Sequence, residues 1–310
     1  MTPAEPGRAP STAPIQGLHV VEWQARHDDV LAGVLGPPDA LCAQVRALYG
    51  PPAGGDHWRF TVVAEDDGQP IGAALAFAPR WHGQRLWVSV EVPAGHRRRG
   101  VGTALLEAVR RRCRDDGRPL RAKVFAASPG SAFAAARGFA VLQRSRTFRL
   151  TRDAPGEHGD LIVEAPADIA AAFLDFYVSS HGWDPPGPMT LDDITRTHIA
   201  AAALTILVRT PGGEALAAGC LYDEGDGREP ELSGGPTDPG DPRARAACAA
   251  LIDAVPKPVL VEADDSVPAL LAVLAERGAT CLDEVHVVSD APERGQFGCA
   301  PLRVPDDDGD

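Results

Sequence analysis

The chain has 310 residues, of which 44% are apolar, and its formal net charge at pH 7 is −13. This length allows two domains of ordinary size, and no apolar run approaches the roughly 20 residues that a membrane-spanning helix needs. Six cysteines without Cys-x-x-Cys spacing, and no His, Cys, Asp or Glu cluster with metal-site spacing, predict a cytoplasmic protein with reduced thiols and no bound metal.

The first half of the chain alternates strand and helix patterns. In chain order these predict a strand at 18–23, two short helices (the second at 38–49), strands at 58–65, 71–78 and 85–92, a helix at 101–113, a strand at 121–126, a short helix at 131–137, and a closing pair of strands at 139–141 and 145–150. Asp66-Asp67-Gly68 is a hairpin signal between two of these strands. The alternation predicts an α/β fold.

A basic, glycine-bearing turn precedes the helix at 101–113, and we call residues 97–102 (RRRGVG) the basic loop. A helix N-terminus presents unpaired backbone N–H groups and about half a positive charge. Gly100 and Gly102 let a bulky anion approach the backbone, so the pattern predicts a pyrophosphate site, with a solvated arginine-rich turn as the alternative. The Gly-Lys-Ser/Thr ending of nucleoside-triphosphatase loops and the three glycines of the dinucleotide fingerprint are both missing.

The basic loop resembles the acyl-coenzyme A (acyl-CoA) loop of the GCN5-related N-acetyltransferases, the GNAT superfamily. The family pattern Gln/Arg-x-x-Gly-x-Gly/Ala matches residues 97–102 at every defined position. The order of elements over residues 15–152 is also the one expected of the GNAT fold, which has a mixed α/β sheet. The resemblance implies that acetyl-CoA, or another acyl-CoA, is bound by Val90, Val92, Arg97, Arg98, Arg99, Gly100, Val101, Gly102 and Thr103.

The resemblance also implies that an amine attacks the thioester directly, which requires a group to remove the ammonium proton. Glu91, on the strand that borders the cofactor, is the first candidate for this general base. An ion pair between this carboxylate and a nearby arginine is the favoured alternative. His82 and Glu22 are weaker candidates, and His96 is expected to pack or to contact phosphate.

The departing thiolate needs a proton, and here the sequence departs from the family. Many members carry a tyrosine four residues before a Gly-Phe pair, but Ala134 occupies that position before Gly138. The asparagine expected near the end of the preceding strand is also missing. Ser131 is the candidate proton donor, with Ser128 and water as alternatives.

The same succession of elements recurs in the second half. It predicts a strand at 161–164, helices at 169–180 and 191–203, a hairpin at 204–209 and 215–222, a helix at 242–255, a strand at 259–263, a helix at 267–277 and a strand at 284–289. The chain thus resembles the tandem GNAT proteins, which include mycothiol synthases and some antibiotic-modifying acyltransferases. The segment 181–187 (HGWDPPG) is predicted either to contact the acceptor or to form an interdomain packing corner.

The counterpart of the basic loop lies at 237–246, where acids replace the arginines, no glycine pair opens the helix and Pro242 stands at its start. A negative loop repels phosphate, so the second copy is predicted to be degenerate, with one acyl-CoA site per chain. The charged residues of the two halves differ in the same direction, with a basic first half and an acidic second half. Residues 1–152 hold 21 Lys and Arg against 13 Asp and Glu, whereas residues 153–310 hold 9 against 30.

The predicted organisation is a disordered leader (1–14), a GNAT domain with the acyl-CoA site (15–152), a linker (153–160), a degenerate GNAT-like domain (161–300) and an acidic tail (301–310). The predicted activity is acetyl or short-acyl transfer to an amine of a small molecule, with a cationic acceptor favoured by the acidic second half. A homodimer is left open. A non-catalytic CoA-binding regulatory protein is the alternative. A nucleic-acid surface is weaker, because the chain is acidic and the arginines lack stacking aromatics.

Overall fold

The computed structural model describes residues 17–28, 30–151, 156 and 158–291. The predicted leader and acidic tail, and half of the predicted linker, lie outside the described residues. One mixed sheet of twelve strands runs through the described part of the chain. No helix in these ranges is both long enough and apolar enough to cross a membrane.

The two halves have the same order of strands and helices. The first half contains β1 (Leu18–Glu22), α1 (Leu31–Leu35), α2 (Ala40–Arg46), β2 (Arg59–Asp66), β3 (Gln69–Phe77), β4 (Leu86–Glu91), α3 (Val101–Arg112), β5 (Leu120–Phe125), α4 (Pro129–Ala136) and β6 (Ala140–Leu150). The second half contains β7 (Ile162–Glu164), α5 (Ala170–Ser180), α6 (Leu191–Ile194), β8 (Leu204–Arg209), β9 (Ala215–Tyr222), β10 (Glu231–Pro236), α7 (Ala244–Asp253), β11 (Val259–Asp264), α8 (Pro268–Glu276) and β12 (Thr280–Ser289). The predicted duplication is confirmed.

The predicted and the observed elements differ in three places. The predicted closing pair at 139–141 and 145–150 is one strand, β6, because the polar residues between the two segments pair with β12. The predicted helix at 191–203 is α6 followed by a π-helical turn at Thr195–Ile199. Strand β10 carries no strand signal, because glycine and proline are depleted in strands. A Cβ on Gly234 would lie 2.5 Å from the carbonyl oxygen of Ala218 on β9, so the strand pairing requires glycine there.

The last strand of each half is exchanged into the other half. The strand order is β1-β2-β3-β4-β5-β12-β6-β11-β10-β9-β8-β7, so β5 pairs with β12 and β11 pairs with β6. The two exchanged strands are antiparallel neighbours at the centre of the sheet. The expectation that β6 closes the first half is therefore wrong. Each half completes the sheet of the other, and the halves share their central hydrogen bonds.

Apolar residues on alternate strand positions place helices on both faces of the sheet. Leu105, Leu106 and Val109 of α3 are buried against the face that includes Val62 and Ala74. Leu31 of α1 packs against Val63 and Ala73, the neighbouring positions on the opposite face. In the second half α7 and α8 enclose a separate apolar core. Strand β4 is thus held between two helical layers, with its end directed at the start of α3.

Candidate functional site

Strands β4 and β5 separate from each other along their length. They are parallel neighbours only at Leu86–Leu120 and Trp87–Arg121. The other edge of β4 continues to pair with β3 as far as Glu91. From Val88 onward, the β5-facing edge of β4 has no strand partner in the described part of the chain, so backbone donors and acceptors are available there for an extended ligand.

The basic loop joins the open end of β4 to α3 by way of a short 3-10 turn at Ala94–His96. Arg97 donates from Nε to the carbonyl oxygen of Val92 at 2.8 Å, which fixes the loop against the strand end. Arg98 has φ of 63° and Gly100 has φ of 88°, both in the left-handed region. Only glycine adopts this conformation without strain, so Gly100 has a backbone reason to be glycine.

The start of α3 offers backbone N–H groups at this loop. The first helical hydrogen bond of α3 runs from the N–H of Ala104 to the carbonyl oxygen of Gly100, at 3.0 Å. Three N–H groups precede it at positions where a helix supplies no acceptor of its own. They belong to Val101, Gly102 and Thr103. A Cβ on Gly102 would contact the Phe133 ring at 3.4 Å, so a glycine here keeps the space above the helix end open.

These features fit a pyrophosphate group and an extended thiol-ending arm. The N–H groups and the helix dipole favour negative charge, and three successive arginines add to the positive potential. The open β4 edge lies directly before them in the chain. The predicted cofactor-binding residues thus follow one another from the open end of β4 through the basic loop to the first turn of α3, where the Val101 side chain is buried and only its backbone N–H is available.

In the equivalent loop of the second half, backbone N–H groups donate hydrogen bonds to carboxylates of the same loop. Asp238 accepts from the backbone N–H of Gly240 at 2.8 Å, and Asp241 accepts from that of Arg243 at 2.7 Å. Hydrogen bonds from Arg243 lower the pKa of Asp241 to about 2. The negative charge that a helix start attracts is thus already provided by side chains of the loop.

Glu91 forms an ion pair with α2. Its carboxylate is 8% exposed and accepts from Arg46 Nη2 at 2.5 Å and from Arg46 Nε at 3.3 Å. The hydrogen bond to Glu91 raises the pKa of Arg46. Tyr49 donates to Ser89 two residues earlier on the same face of β4, at 3.5 Å. The arginine pairing that the sequence allowed for Glu91 is the arrangement found.

The two candidate serines lie at the start of α4. Ser128 is the N-cap: its hydroxyl donates to the Phe125 oxygen at 2.6 Å and accepts from the Ser131 N–H at 3.1 Å. Its proton is therefore already used within the protein. Ser131 occupies the first turn and is partly exposed. Ala134, at the position of the family tyrosine, is buried in the apolar core.

The weaker base candidates do not gather around the basic loop. Glu22 lies on the edge strand β1, is 67% exposed in its side chain and is 3.7 Å from Arg112. His96 belongs to the 3-10 turn before the loop, and its Nδ1 is buried without a partner among the described residues. His82 instead contacts the second half: its Nε2 is 2.8 Å from the Tyr177 hydroxyl.

The segment 181–187 forms a packing corner between the two halves, which is one of the two roles predicted for it. Asp184 is fully buried and accepts from Arg85 Nη1 at 2.8 Å and from Arg121 Nη1. The N–H of Gly187 donates to the Trp81 oxygen at 2.5 Å. Arg121 also stacks over Trp87, with its guanidinium carbon 4.1 Å from the ring centroid. No sequence pattern indicates this network, because its members are far apart along the chain.

Comparison with known proteins agrees with this geometry. Residues 39–139 match the model of the acetyltransferase (GNAT) family. Residues 39–139 form a domain of the GNAT family. Such a domain supports an acyl-CoA-dependent N-acetyltransferase in the general sense of that family. No curated protein matches the sequence.

Solved GNAT structures resemble the whole described chain. A GCN5-related N-acetyltransferase from Sphaerobacter thermophilus has a TM-score of 0.57 and 15% identity, covering 89% of this chain and 96% of that one. A tandem GNAT protein from the clavulanic acid biosynthesis pathway has a TM-score of 0.56 and 18% identity, covering 88% and 98%. At such identities the similarity concerns the fold, and it supports a tandem GNAT architecture.

Proposed function

We propose that the first half of this GNAT protein binds acetyl-CoA, or another short acyl-CoA, and transfers the acyl group to an amine of a small molecule. Transfer is direct, within a ternary complex. The observation that carries the proposal is the open edge of β4 leading into the N-terminus of α3. The proposed domain division, 15–152 and 161–300, assigns this surface to the first domain, and the second is proposed to be degenerate.

Each part of that surface has a proposed role. The backbone at Val90 and Val92 pairs with the extended arm of the cofactor, as an added strand would. The N–H groups at the start of α3 bind the pyrophosphate, and the arginines of the basic loop neutralise its charge. When bound, the acyl-CoA supplies a thioester carbonyl as the electrophile. Ser131 is the proposed hydrogen-bond donor near the leaving sulfur.

The proposed acceptor is a small molecule whose amine is cationic before it reacts. The second half, with its large excess of carboxylates, attracts such a molecule and repels free anions. The test is thiol release from acetyl-CoA by the purified protein, measured against a panel of amines. Acetyl-dependent release with at least one amine is expected, whereas saturable CoA binding without release from any amine would favour the non-catalytic alternative.

A substitution of Glu91 by glutamine separates an ion-pair role from a base role. We expect Glu91→Gln to lower the free energy of unfolding by about 2–3 kcal/mol, because Arg46 loses its counterion in a largely buried position. We expect the shape of the pH–rate profile to stay unchanged. Denaturant unfolding and kcat/KM measured across pH check both points.

The base role for Glu91 stays a prediction, and the same variant tests it. If Glu91 removes the ammonium proton, the substitution instead abolishes the limb of the pH profile that reports this group and leaves only slow turnover. Glu224→Gln is a matched control, because Glu224 pairs with Arg228 on the surface with both side chains at least 70% exposed. This control should change neither stability nor the profile measurably.

A further inference from the structure

The second half contains a cavity that the acyl-CoA site does not use. Strands β10 and β11 are parallel neighbours only at Glu231–Leu260 and Leu232–Val261, and they diverge from Ser233 onward. This repeats the separation of β4 and β5. The divergence opens a cavity of about 210 Å³, which Ser233 and Gly234 border on one side and the start of α8 on another.

This cavity is the second half's own version of the cleft end where the acyl group and acceptor meet in the first half. Helices α4 and α8 each begin with a proline just after the parallel strand, at Pro129 and Pro268. Val267 and Leu270, at the start of α8, border the cavity. Asp238 and Asp241 place negative charge at the end of this second cleft that corresponds to the basic loop, which favours a small ligand without phosphates.

The polar groups of the cavity are mostly hydrogen-bond acceptors. The Asp184 carbonyl oxygen is 2.8 Å from His82 Nδ1, which places a proton on Nδ1 because a carbonyl can only accept. His82 Nε2 is hydrogen-bonded to the Tyr177 hydroxyl, 2.8 Å away, and in either direction of this bond the phenol oxygen keeps a free lone pair. His181 likewise uses Nδ1 to donate to the Tyr177 carbonyl at 2.7 Å, so its Nε2 is an acceptor.

The charges of the cavity also favour a cation. Burial lowers the pKa of His181 to about 4 and lowers that of His198, so both imidazoles are neutral at pH 7. Lys123 contributes one positive charge, whereas Glu262 and Asp264 contribute two negative ones. The net charge of the lining is thus −1 at neutral pH. A single ammonium group would neutralise it.

Aromatic rings form one wall. Tyr177 and His181 are stacked with centroids 4.2 Å apart, and His198 lies 5.3 Å from the Tyr177 ring. Phe176 completes the lining on this side. Ring faces attract organic cations and also accommodate the apolar part of an amine. The wall and the carboxylates lie around the same 210 Å³ space.

We propose that this cavity is a second small-molecule site, which binds one organic ammonium ion bearing an aromatic or apolar group, without coenzyme A. The ammonium donates to Asp264 and to the free acceptors of Tyr177 and His181, and its ring packs on the aromatic wall. The site is separate from the basic loop. Its existence does not depend on the acyl-transfer activity proposed above.

Calorimetry on the full chain tests the proposal with three compounds of one shape. Tyramine carries the ammonium group, tyrosol replaces it with a hydroxyl, and 4-hydroxyphenylacetate is an anion. We expect tyramine to bind with one site per chain and the other two to bind at least about tenfold more weakly, as loss of a charged hydrogen bond implies. Equal binding of tyrosol, tighter binding of the anion, or no saturable tyramine binding would overturn the proposal.

Two adjacent aspartates provide a matched pair of variants. Asp264 borders the cavity, whereas Asp265 is exposed and pairs with Arg144 and Arg146. We expect Asp264→Asn to weaken tyramine binding at least about tenfold and Asp265→Asn to leave it unchanged. If the two variants behave alike while both keep the wild-type circular dichroism spectrum, tyramine binds elsewhere and the proposal fails.

The affinity should also depend on pH. Burial raises the pKa of Asp264 to about 6, and the charge of Glu262 acts in the same direction with a smaller effect. Hydrogen bonds to Ser145 and Gln143 and the charge of Lys123 lower this pKa and so oppose the rise. The imidazoles of His181 and His198 face the same space, and burial lowers the pKa of both, that of His181 to about 4. Protonation of Asp264 below pH 6 removes its negative charge, so we expect tyramine to bind about tenfold more weakly at pH 5 than at pH 7.5. A flat profile would contradict this assignment.

Discussion

Replacement of Gly100 by glutamate is expected to lower the affinity for acetyl-CoA by at least about 100-fold. The new carboxylate would stand at the N-cap of α3, beside the N–H groups proposed to bind pyrophosphate. It would repel the phosphates and compete with them for these donors. Calorimetric titration with acetyl-CoA measures the loss directly, and an unchanged dissociation constant would contradict the proposed site.

Two controls separate charge from backbone strain. Gly100 has φ of 88°, so any side chain there costs about 1–3 kcal/mol of backbone energy. Gly100→Ala carries this strain without the charge and is expected to retain measurable binding. Gly240→Glu places the same charge in the equivalent loop of the second half and should leave the stoichiometry at one acetyl-CoA per chain. Two molecules bound per wild-type chain would refute the degenerate second copy.

Replacement of Asp184 by asparagine is expected to lower the free energy of unfolding by about 3–5 kcal/mol. Asp184 neutralises Arg85 and Arg121, which are 5% and 1% exposed, and no other carboxylate in the described part of the chain pairs with either. Burial lowers the pKa of Arg121 to about 10, which still leaves it charged at pH 7. An asparagine would leave two buried guanidinium groups without a counterion. Denaturant-induced unfolding at pH 7 measures the change.

The pH dependence provides a second check on Asp184. Burial alone would raise the pKa of this carboxyl, but the His82 hydrogen bond and the Arg121 charge outweigh it and lower the pKa below its ordinary value. A lowered pKa in the folded state contributes stability above the unfolded-state pKa of about 4 and loses it as the pH falls through the folded value. The stability difference between wild type and Asp184→Asn should therefore be full at pH 7 and shrink in acid. A difference that is the same at pH 7 and pH 3 would show that the charge is not responsible.

The proposed acyl-CoA surface could be predicted from the sequence because its parts are contiguous. A strand, a glycine-bearing basic loop and a helix start follow one another within residues 85–103, so local periodicity and turn chemistry suffice to place them. The same holds for the proposed loss of this surface in the second half, where acids at 238 and 241 stand in the corresponding loop. The chemistry beside the cofactor was harder to predict. Whether Glu91 is free or paired depends on Arg46, which lies 45 residues away on a different helix.

The corner at Asp184 and the second cavity could not be predicted in the same way. His82, Tyr177 and Asp184 meet only because the two halves pack together, and Lys123 of β5 reaches a cavity bordered by β10 and β11. Strand β10 itself was missed. Its glycines are compatible with a strand only where β9 approaches too closely for any side chain.

By itself the sequence determined most of the order of strands and helices, their repetition in two halves and the position of a basic, glycine-bearing loop before one helix start. These depend on the spacing of apolar residues, on glycine conformation and on local charge. Only the tertiary structure decided which strands become neighbours. The side-chain patterns of β6 and β12 predict that each is a strand and which side chains share a face. They do not predict the neighbouring strand, because the backbone N–H and C=O groups of a strand can pair equally well with a strand of either half. The exchange of these two strands, and the ion pairs and cavity between the halves, follow from packing across the whole sheet.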